Sequence, residues 1–352
     1  MSSNLTIALA ALGGVVLAGV VAHGAWQARK AGPKRAAATP PGEEPLREEP
    51  VLGELTHGVA LVADNAADTT AEPKLPRRSA ARLDALIDAI APLTIESPVS
   101  AEMVLTHLPT TRRAGGKPFL VEGLNAETGE WEAPVAGQRY GEFQAGVQMA
   151  NRTGALNEIE YSEFVQKLEA FAVAIGATAD FPDMLDVVAR ARELDAFAGD
   201  RDAQLAVHLQ ARAAAWSVGY IQQNAARQGF VPGAVPGRLV LASAEEGAPP
   251  VLTLTYDAQA ALADNPDLAA VRDVTLSFDV PQTDPKAGPF VAWQTSAHAL
   301  ALGMDAAIVD DNGQPLSEAG FATIGAELGQ LYLALEARDL AAGSAAARRL
   351  FS

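Results

Sequence analysis

The sequence predicts an α+β fold: two tandem lobes of the split β-α-β kind, each with helices on one face of a mainly antiparallel sheet, preceded by one N-terminal transmembrane helix and a disordered linker. Three observations point there. An uncharged apolar run opens the chain, and a proline-rich stretch without aromatic residues follows it. Beyond residue 81 short apolar strands alternate with amphipathic helices, in an order that occurs twice.

Length and composition already exclude several classes of function. At 352 residues there is room for two folded units, or three at most, at roughly 100–200 residues each. With 26 Lys and Arg against 43 Asp and Glu the net charge is −17. A duplex-binding protein needs a cationic surface to displace phosphate counterions, so nucleic acid is not an expected partner. Cysteine is absent, which removes disulfides, thiolate nucleophiles and sulfur-ligated zinc together.

Residues 5–26 (LTIALAALGGVVLAGVVAHGAW) carry no charge, and at about 1.5 Å per residue they suffice to cross a hydrocarbon layer about 30 Å thick. No Lys or Arg precedes the run, as a secretory signal would require, whereas Arg29, Lys30, Lys34 and Arg35 follow it. The positive-inside rule then puts the N-terminus outside and the rest of the chain in the cytoplasm, with residues 1–26 as anchor and Trp26 at the interface. A cleaved signal, suggested by Ala22-His23-Gly24-Ala25, is the alternative that this charge asymmetry opposes.

Residues 27–80 hold seven prolines and no Phe, Trp or Tyr, too little apolar area to offset chain entropy, which predicts a disordered linker. Its span by the square-root rule is about 40 Å. Eight basic residues there balance eight acidic ones, so the net −17 belongs to the segment from residue 81 onward. An anionic inner leaflet repels such a segment while the basic collar at 29–35 holds the membrane.

Two lobes follow, at 81–202 and 203–345. MVLTHL (103–108) and QLAVHL (204–209) read as matching apolar strands with His107 and His208 in the fifth place. FAVAIG (171–176) reads as a later strand of the first lobe, before a helix over 183–198 whose Met184, Val187, Val188, Ala191, Leu194 and Ala198 form one apolar stripe. The second lobe is predicted as a strand at 204–210, a helix at about 213–228, and strands at 238–243, 251–256 and 274–280. A helix at 289–302, a strand at 306–310 and a helix at 317–337 complete it. Asp311-Asn312-Gly313 is a turn, because Asn and Gly accept positive φ. Ser317 is the N-cap of the closing helix, in which Phe321, Ile324, Leu328, Leu331 and Leu335 keep helical spacing. A sheet covered by helices on one side leaves its other face open.

The order of these features resembles the ZipA family of bacterial division proteins. The residues that carry the resemblance are the N-terminal span with its basic flank, the charged proline-rich linker, and the stretch 272–327, where RDVTLSFDVPQ, the helix at 289–302 and GMDAAIVDDNGQPLSEAGFATIGAEL are similar to the family's final strand, helix, strand and closing helix. It covers roughly 203–337, with a weaker likeness over 143–209 around QMANRTGALNEIEYSEF. The resemblance implies a bacterial inner-membrane, single-pass protein without catalytic activity. Its cytoplasmic domain would bind the C-terminal peptide of the tubulin-like polymer FtsZ on the open sheet face and tether the Z-ring to the membrane. The duplicated lobe and the shorter linker depart from the family pattern.

The expected partner-binding residues on the open face are Ala206, His208, Val240, Thr253, Thr255, Ala258, Thr275 and Ser277, with Val147, Met149 and Arg152 as the first lobe's alternative. Strand alternation sends Val274, Leu276 and Phe278 to the helices and leaves this face rich in Thr and Ser, poor in large apolar anchors. No G-x-S-x-G, P-loop, G-x-G-x-x-G or H-E-x-x-H pattern occurs. Asp310 and Asp311 are adjacent on a strand end and precede a turn, which argues against a metal site. No enzyme, cofactor or metal is therefore expected. The alternative is a membrane-anchored enzyme or small-ligand sensor with its site between the lobes, where ligands commonly bind.

Overall fold

The computed structural model describes residues 82–263, 265 and 269–352. The predicted membrane span at 5–26 and linker at 27–80 lie outside the described residues. Among the described residues no helix is long and apolar enough to cross a membrane.

The first lobe runs β1 (Asp88–Ser100), α1 (Ala101–His107), β2 (Arg113–Ala114), β3 (Lys117–Asn125), β4 (Trp131–Glu132), β5 (Arg139–Gln148), the hairpin β6 (Ala150–Asn151) and β7 (Gly154–Ala155), α2 (Glu158–Ile175), β8 (Ala177–Ala179) and α3 (Met184–Gly199). The second runs β9 (Gln204–Ala211), α4 (Val218–Arg227), β10 (Val231–Pro232), β11 (Arg238–Leu241), β12 (Leu252–Thr255), α5 (Ala258–Ala261), β13 (Asp273–Asp279), α6 (Pro289–Met304), β14 (Ala306–Val309) and α7 (Glu318–Glu336). A last helix, α8 (Ala345–Leu350), closes the chain.

The architecture is α+β with antiparallel sheets. The first sheet has the order β2-β3-β5-β1-β8 with β4 beside β3, and the second β10-β11-β12-β13-β9-β14. In each, the lobe's opening strand lies between the last strand of that sheet before the crossing helix and the strand after it. Those two outer strands both run antiparallel to the opening strand, so they are parallel to each other and the helix crosses over between them.

Two expected strands are helical. MVLTHL lies in α1, which starts at the Ser100 cap and buries only Ala101 and Val104, leaving Met103 and Leu105 nearly half exposed. FAVAIG ends α2, which begins with a capping box: Asn157 accepts from the amides of Ile159 and Glu160, and Glu160 bonds back to the Asn157 amide. From that start Tyr161, Phe164, Leu168, Phe171, Ala172 and Ile175 continue one buried stripe until Gly176 stops the helix at φ 72°. A short apolar run does not by itself distinguish strand from buried helix; the cap fourteen residues upstream decides it. The match drawn between His107 and His208 therefore fails, since one ends a helix and the other lies within a strand.

The helix expected at 213–228 is shorter, capped by Ser217, because Trp216 bridges to Val271 in extended form. The remaining second-lobe elements follow the sequence pattern. Ser317 caps α7 by accepting the Gly320 amide, and Gly313 turns at φ 73°.

Each lobe has its own core. Phe119, Phe143, Phe164 and Phe171 centre the first, and Trp293, Phe278 and Phe321 the second. The C-terminus departs from the expected boundary at 345. Leu340, Ala342, Ala346, Ala347, Leu350 and Phe351 belong to the first core, so the chain returns from the second lobe to complete the first. Arg349 pairs in bidentate fashion with the fully buried Asp88 carboxylate at 2.6 and 2.8 Å.

Candidate functional site

On the second sheet α4, α6 and α7 cover the face that carries Val207, Leu209, Leu239, Leu252, Leu254, Val274, Leu276 and Phe278. The strand register sorts the opposite face into rows across the strands. One row is Arg238, Thr255, Thr275, His208 and Val309; the next is Val231, Val240, Thr253, Ser277 and Ala206. Seven of the eight residues expected on this face are brought together in these rows. Ala258 is not among them: it lies in α5, off the strands. Thr253 and Ser277 are only 8% and 6% exposed, so they form a floor and the half-buried neighbours carry the accessible surface.

Towards β10 the face deepens into a groove of about 460 Å3. Val240 lies on its floor, between Val235 in the β10–β11 turn and Ala242, Ala248 and Pro250 in the β11–β12 loop. Arg348 of α8 holds that loop through Glu245 at 2.7 Å. Val231 and Val235 are about half exposed here, the kind of accessible apolar area that an isolated surface valine does not need to explain but a cluster does.

At the far end of the first row His208 lies between two carboxylates. Its Nδ1 is 3.0 Å from Asp273 Oδ1 and its Nε2 is 3.2 Å from Asp311 Oδ1, with Thr275 Oγ1 at 3.4 Å. The Asp273 hydrogen bond first, and Asp311 further, raise its pKa above the ordinary 6.5, against a smaller effect of burial. A raised folded-state value means that His208 stabilises the fold fully below its unfolded pKa of about 6.5 and loses that contribution as pH rises through the folded pKa. The imidazole is thus expected to titrate above 6.5 by NMR, and His208→Gln to flatten the fall in stability on the alkaline side. A midpoint at or below 6.5 would contradict the cluster. Asp310 does not join it, since its carboxylate accepts the amides of Asn312 and Gln314 within the turn. No group of three or more His, Cys, Asp or Glu side chains suited to a metal occurs among the described residues.

The first lobe's expected residues are placed differently. Val147 and Met149 are 0% and 2% exposed and belong to the core, because strand β5 turns Val147 towards the helices and Gly146 outward. They offer no surface to a partner. Arg152 pairs instead with Asp202 and Asp279 at the junction of the lobes, and the Asp202 hydrogen bond raises its pKa. Burial raises the pKa of Asp279 although Arg152 pulls it down.

Part of the outer face of the first sheet, around Gly146, is occupied by the chain itself. A Cβ built on Gly146 would stand 2.5 Å from Leu83 Cδ2, so Leu83 lies directly on the sheet backbone there. The Leu83 amide donates to Glu122 Oε1 at 3.0 Å, and Gln144 Nε2 donates to Glu122 Oε2 at 2.9 Å. Further along that face Pro92, Thr94 and Glu142 are exposed, so what sets the second sheet apart is the groove at Val240.

Sequence reasoning missed Arg238, Asp273 and Asp311. Alternation alone would have found the first two, each two residues from a residue already assigned to the face. Asp311 reaches His208 only through the pairing of β14 with β9, for which no local signal exists. Trp26, Arg29, Lys30, Lys34 and Arg35 lie outside the described residues. The chain matches no protein-family model and no curated protein.

Proposed function

We propose that this chain is a membrane-anchored bacterial division protein of the ZipA kind, in which the uncovered face of the second lobe captures the C-terminal peptide of FtsZ and ties the Z-ring to the inner membrane without an enzymatic step. The observation that carries this reading is the second sheet's face, with its Thr and Ser floor and the apolar groove at Val240. A shallow apolar platform of this type suits a short amphipathic peptide. The uncharged run at 5–26 with its basic flank supports the anchor.

The two lobes are read as tandem copies. Support comes from their order, in which β1, α1, β3, β5, α2, β8 and α3 have counterparts in β9, α4, β12, β13, α6, β14 and α7, with the corresponding strands in the same sheet sequence. One copy carries Leu83 over part of its outer face, at Gly146, and the other carries the groove at Val240 on the corresponding face. Single contacts of micromolar strength are worth only about −8 kcal/mol, yet many such anchors on one polymer hold because each further engagement is effectively intramolecular.

The full-length chain in mild detergent is expected to co-sediment with FtsZ polymer and to lose the interaction when the polymer lacks its C-terminal tail. Val240→Glu places a charge on the groove floor and is expected to weaken capture about tenfold or more, the effect of roughly 1.4 kcal/mol. Binding that survives removal of the tail would defeat the reading.

A second reading, a small-ligand sensor, is favoured by a cavity of about 330 Å3 at the lobe junction, lined by Asn151, Arg152, Thr153, Asp195, Asp202 and Phe351. Behind it the buried Lys117 donates to Asn151 Oδ1 and Thr153 Oγ1 at 2.8 and 3.1 Å, and burial lowers its pKa. A metabolite that binds there would raise the unfolding temperature with the logarithm of its excess.

A further inference from the structure

The cavity of about 330 Å3 at the lobe junction is lined by two charged groups of opposite sign that do not pair with each other, Arg152 and Asp195. Arg152 is fixed in place: its Nε and Nη2 donate to the two oxygens of Asp202, and Nη2 donates also to Asp279 Oδ2 at 2.7 Å. That leaves Nη1 without a hydrogen bond among the described residues. Asp195, half-buried on α3, makes no hydrogen bond or ion pair among them either. Its charge is felt at the buried Lys117, whose pKa burial lowers while Glu160 and then Asp195 oppose the fall. Thr153 Oγ1 donates to Asn151 Oδ1 at 2.6 Å and accepts from Lys117 Nζ at 3.1 Å, so one of its lone pairs remains. Asn151 and Lys117 are themselves buried, so this wall is set before a ligand arrives.

These groups sort the possible occupants by charge. An anion without a basic group meets the carboxylates of Asp195 and Asp202. A cation without an acidic group encloses the Nη1 donors of Arg152 unpaired, which costs affinity. A molecule with an ammonium and a carboxylate on one carbon satisfies both at once. A polypeptide does not qualify, because its two charged termini lie at opposite ends of the chain. The volume is at the lower limit of small-molecule sites, and Ala198, Leu350 and Phe351 supply an apolar wall.

We propose that the junction cavity binds a free α-amino acid with a small apolar side chain, its ammonium on Asp195 and Thr153 Oγ1, its carboxylate on Arg152 Nη1 and its side chain against Ala198 and Leu350. This rests on the ligand-sensor reading above and adds the chemical class of the ligand; it is independent of peptide capture. Because Arg152 also pairs with Asp279 at the end of β13, the carboxylate binds the residue that joins the two lobes.

The test titrates the full chain in mild detergent with L-alanine, L-valine and L-leucine by calorimetry. For the tightest of the three, the corresponding acid without the amino group and the corresponding amine without the carboxylate are then titrated in the same way. Each analogue is expected to bind about tenfold more weakly or worse, because each leaves one charged group of the cavity unpaired. Asp195→Asn is expected to weaken the amino acid about tenfold as well, and since Asp195 has no partner to lose, the unfolding temperature of the unliganded chain should not fall. An analogue that binds as tightly as the amino acid, or an affinity unchanged in Asp195→Asn, overturns the assignment of the ligand class and leaves the cavity as a ligand site. Absence of binding by all three amino acids overturns the proposal, and the ligand-sensor reading falls with it if a wider set of metabolites also leaves the unfolding temperature unchanged.

Discussion

A chain that stops at Asp339 is expected to lose the fold of its first lobe. The deleted segment supplies Leu340, Leu350 and Phe351, each at most 2% exposed, to the core that contains Phe119 and Phe164. Truncating a buried side chain of this size costs about 2–5 kcal/mol. The deletion also removes Arg349 from Asp88, whose side chain is fully buried, and an uncompensated buried charge costs a further 3–5 kcal/mol or about that. The sum reaches the whole stability of a typical domain, about 5–15 kcal/mol. Arg349→Met isolates the ionic part and is expected to cost about 3–5 kcal/mol by urea unfolding. Amide exchange should show the loss first in β1 and β5, where Asp88 pairs with Gln148, whose side chain also donates to the Arg349 carbonyl. A truncated chain with an unchanged unfolding midpoint would show that α8 is not part of this core.

Trp293→Ala is expected to be the most damaging single substitution in the second lobe. The indole is fully buried on α6 and packs against Phe321, Phe290 and Phe278 with ring centroids 5.4, 5.9 and 6.0 Å away. Its Nε1 donates to the Leu276 carbonyl at 2.9 Å, which fixes the helix over the middle of β13. Large-to-small changes at such sites cost about 3–5 kcal/mol, and the bond lost from β13 adds to that. Trp293→Phe keeps most of the ring packing and loses the hydrogen bond, so it should cost markedly less. Equal costs for Ala and Phe would show that the hydrogen bond, not the packing, governs the site.

Strand alternation in the second lobe was legible in the sequence because one face is buried. Val274, Leu276 and Phe278 point to the helices while Thr275 and Ser277 point away. Local chemistry was equally readable at Ser317 and Gly313, where a cap and a positive φ are set by the residue itself. One error was a local ambiguity; the others originate in long-range pairing. FAVAIG is apolar on every side, and only the cap at Asn157 distinguishes the helix from a strand. Val147 and Met149 looked like candidates for an exposed face because nothing local shows that Gly146, beneath Leu83, is the outward residue of β5. The contact between Arg349 and Asp88 spans 261 residues, beyond the reach of any periodicity. The His208 cluster likewise needs β13 and β14 on either side of β9 before its two carboxylates meet one ring.

The most direct test of the account is site-specific photo-crosslinking between the full-length chain and the FtsZ tail peptide. A photoreactive side chain at Thr275, on the accessible face of the second sheet, is expected to capture the peptide, as is one at Val240 on the groove floor. One at Thr94, on the outer face of the first sheet, is expected to capture none. Capture from Thr94 alone, or a peptide that binds the chain yet crosslinks from neither Thr275 nor Val240, would contradict the claim that the second lobe's uncovered face is where the partner docks.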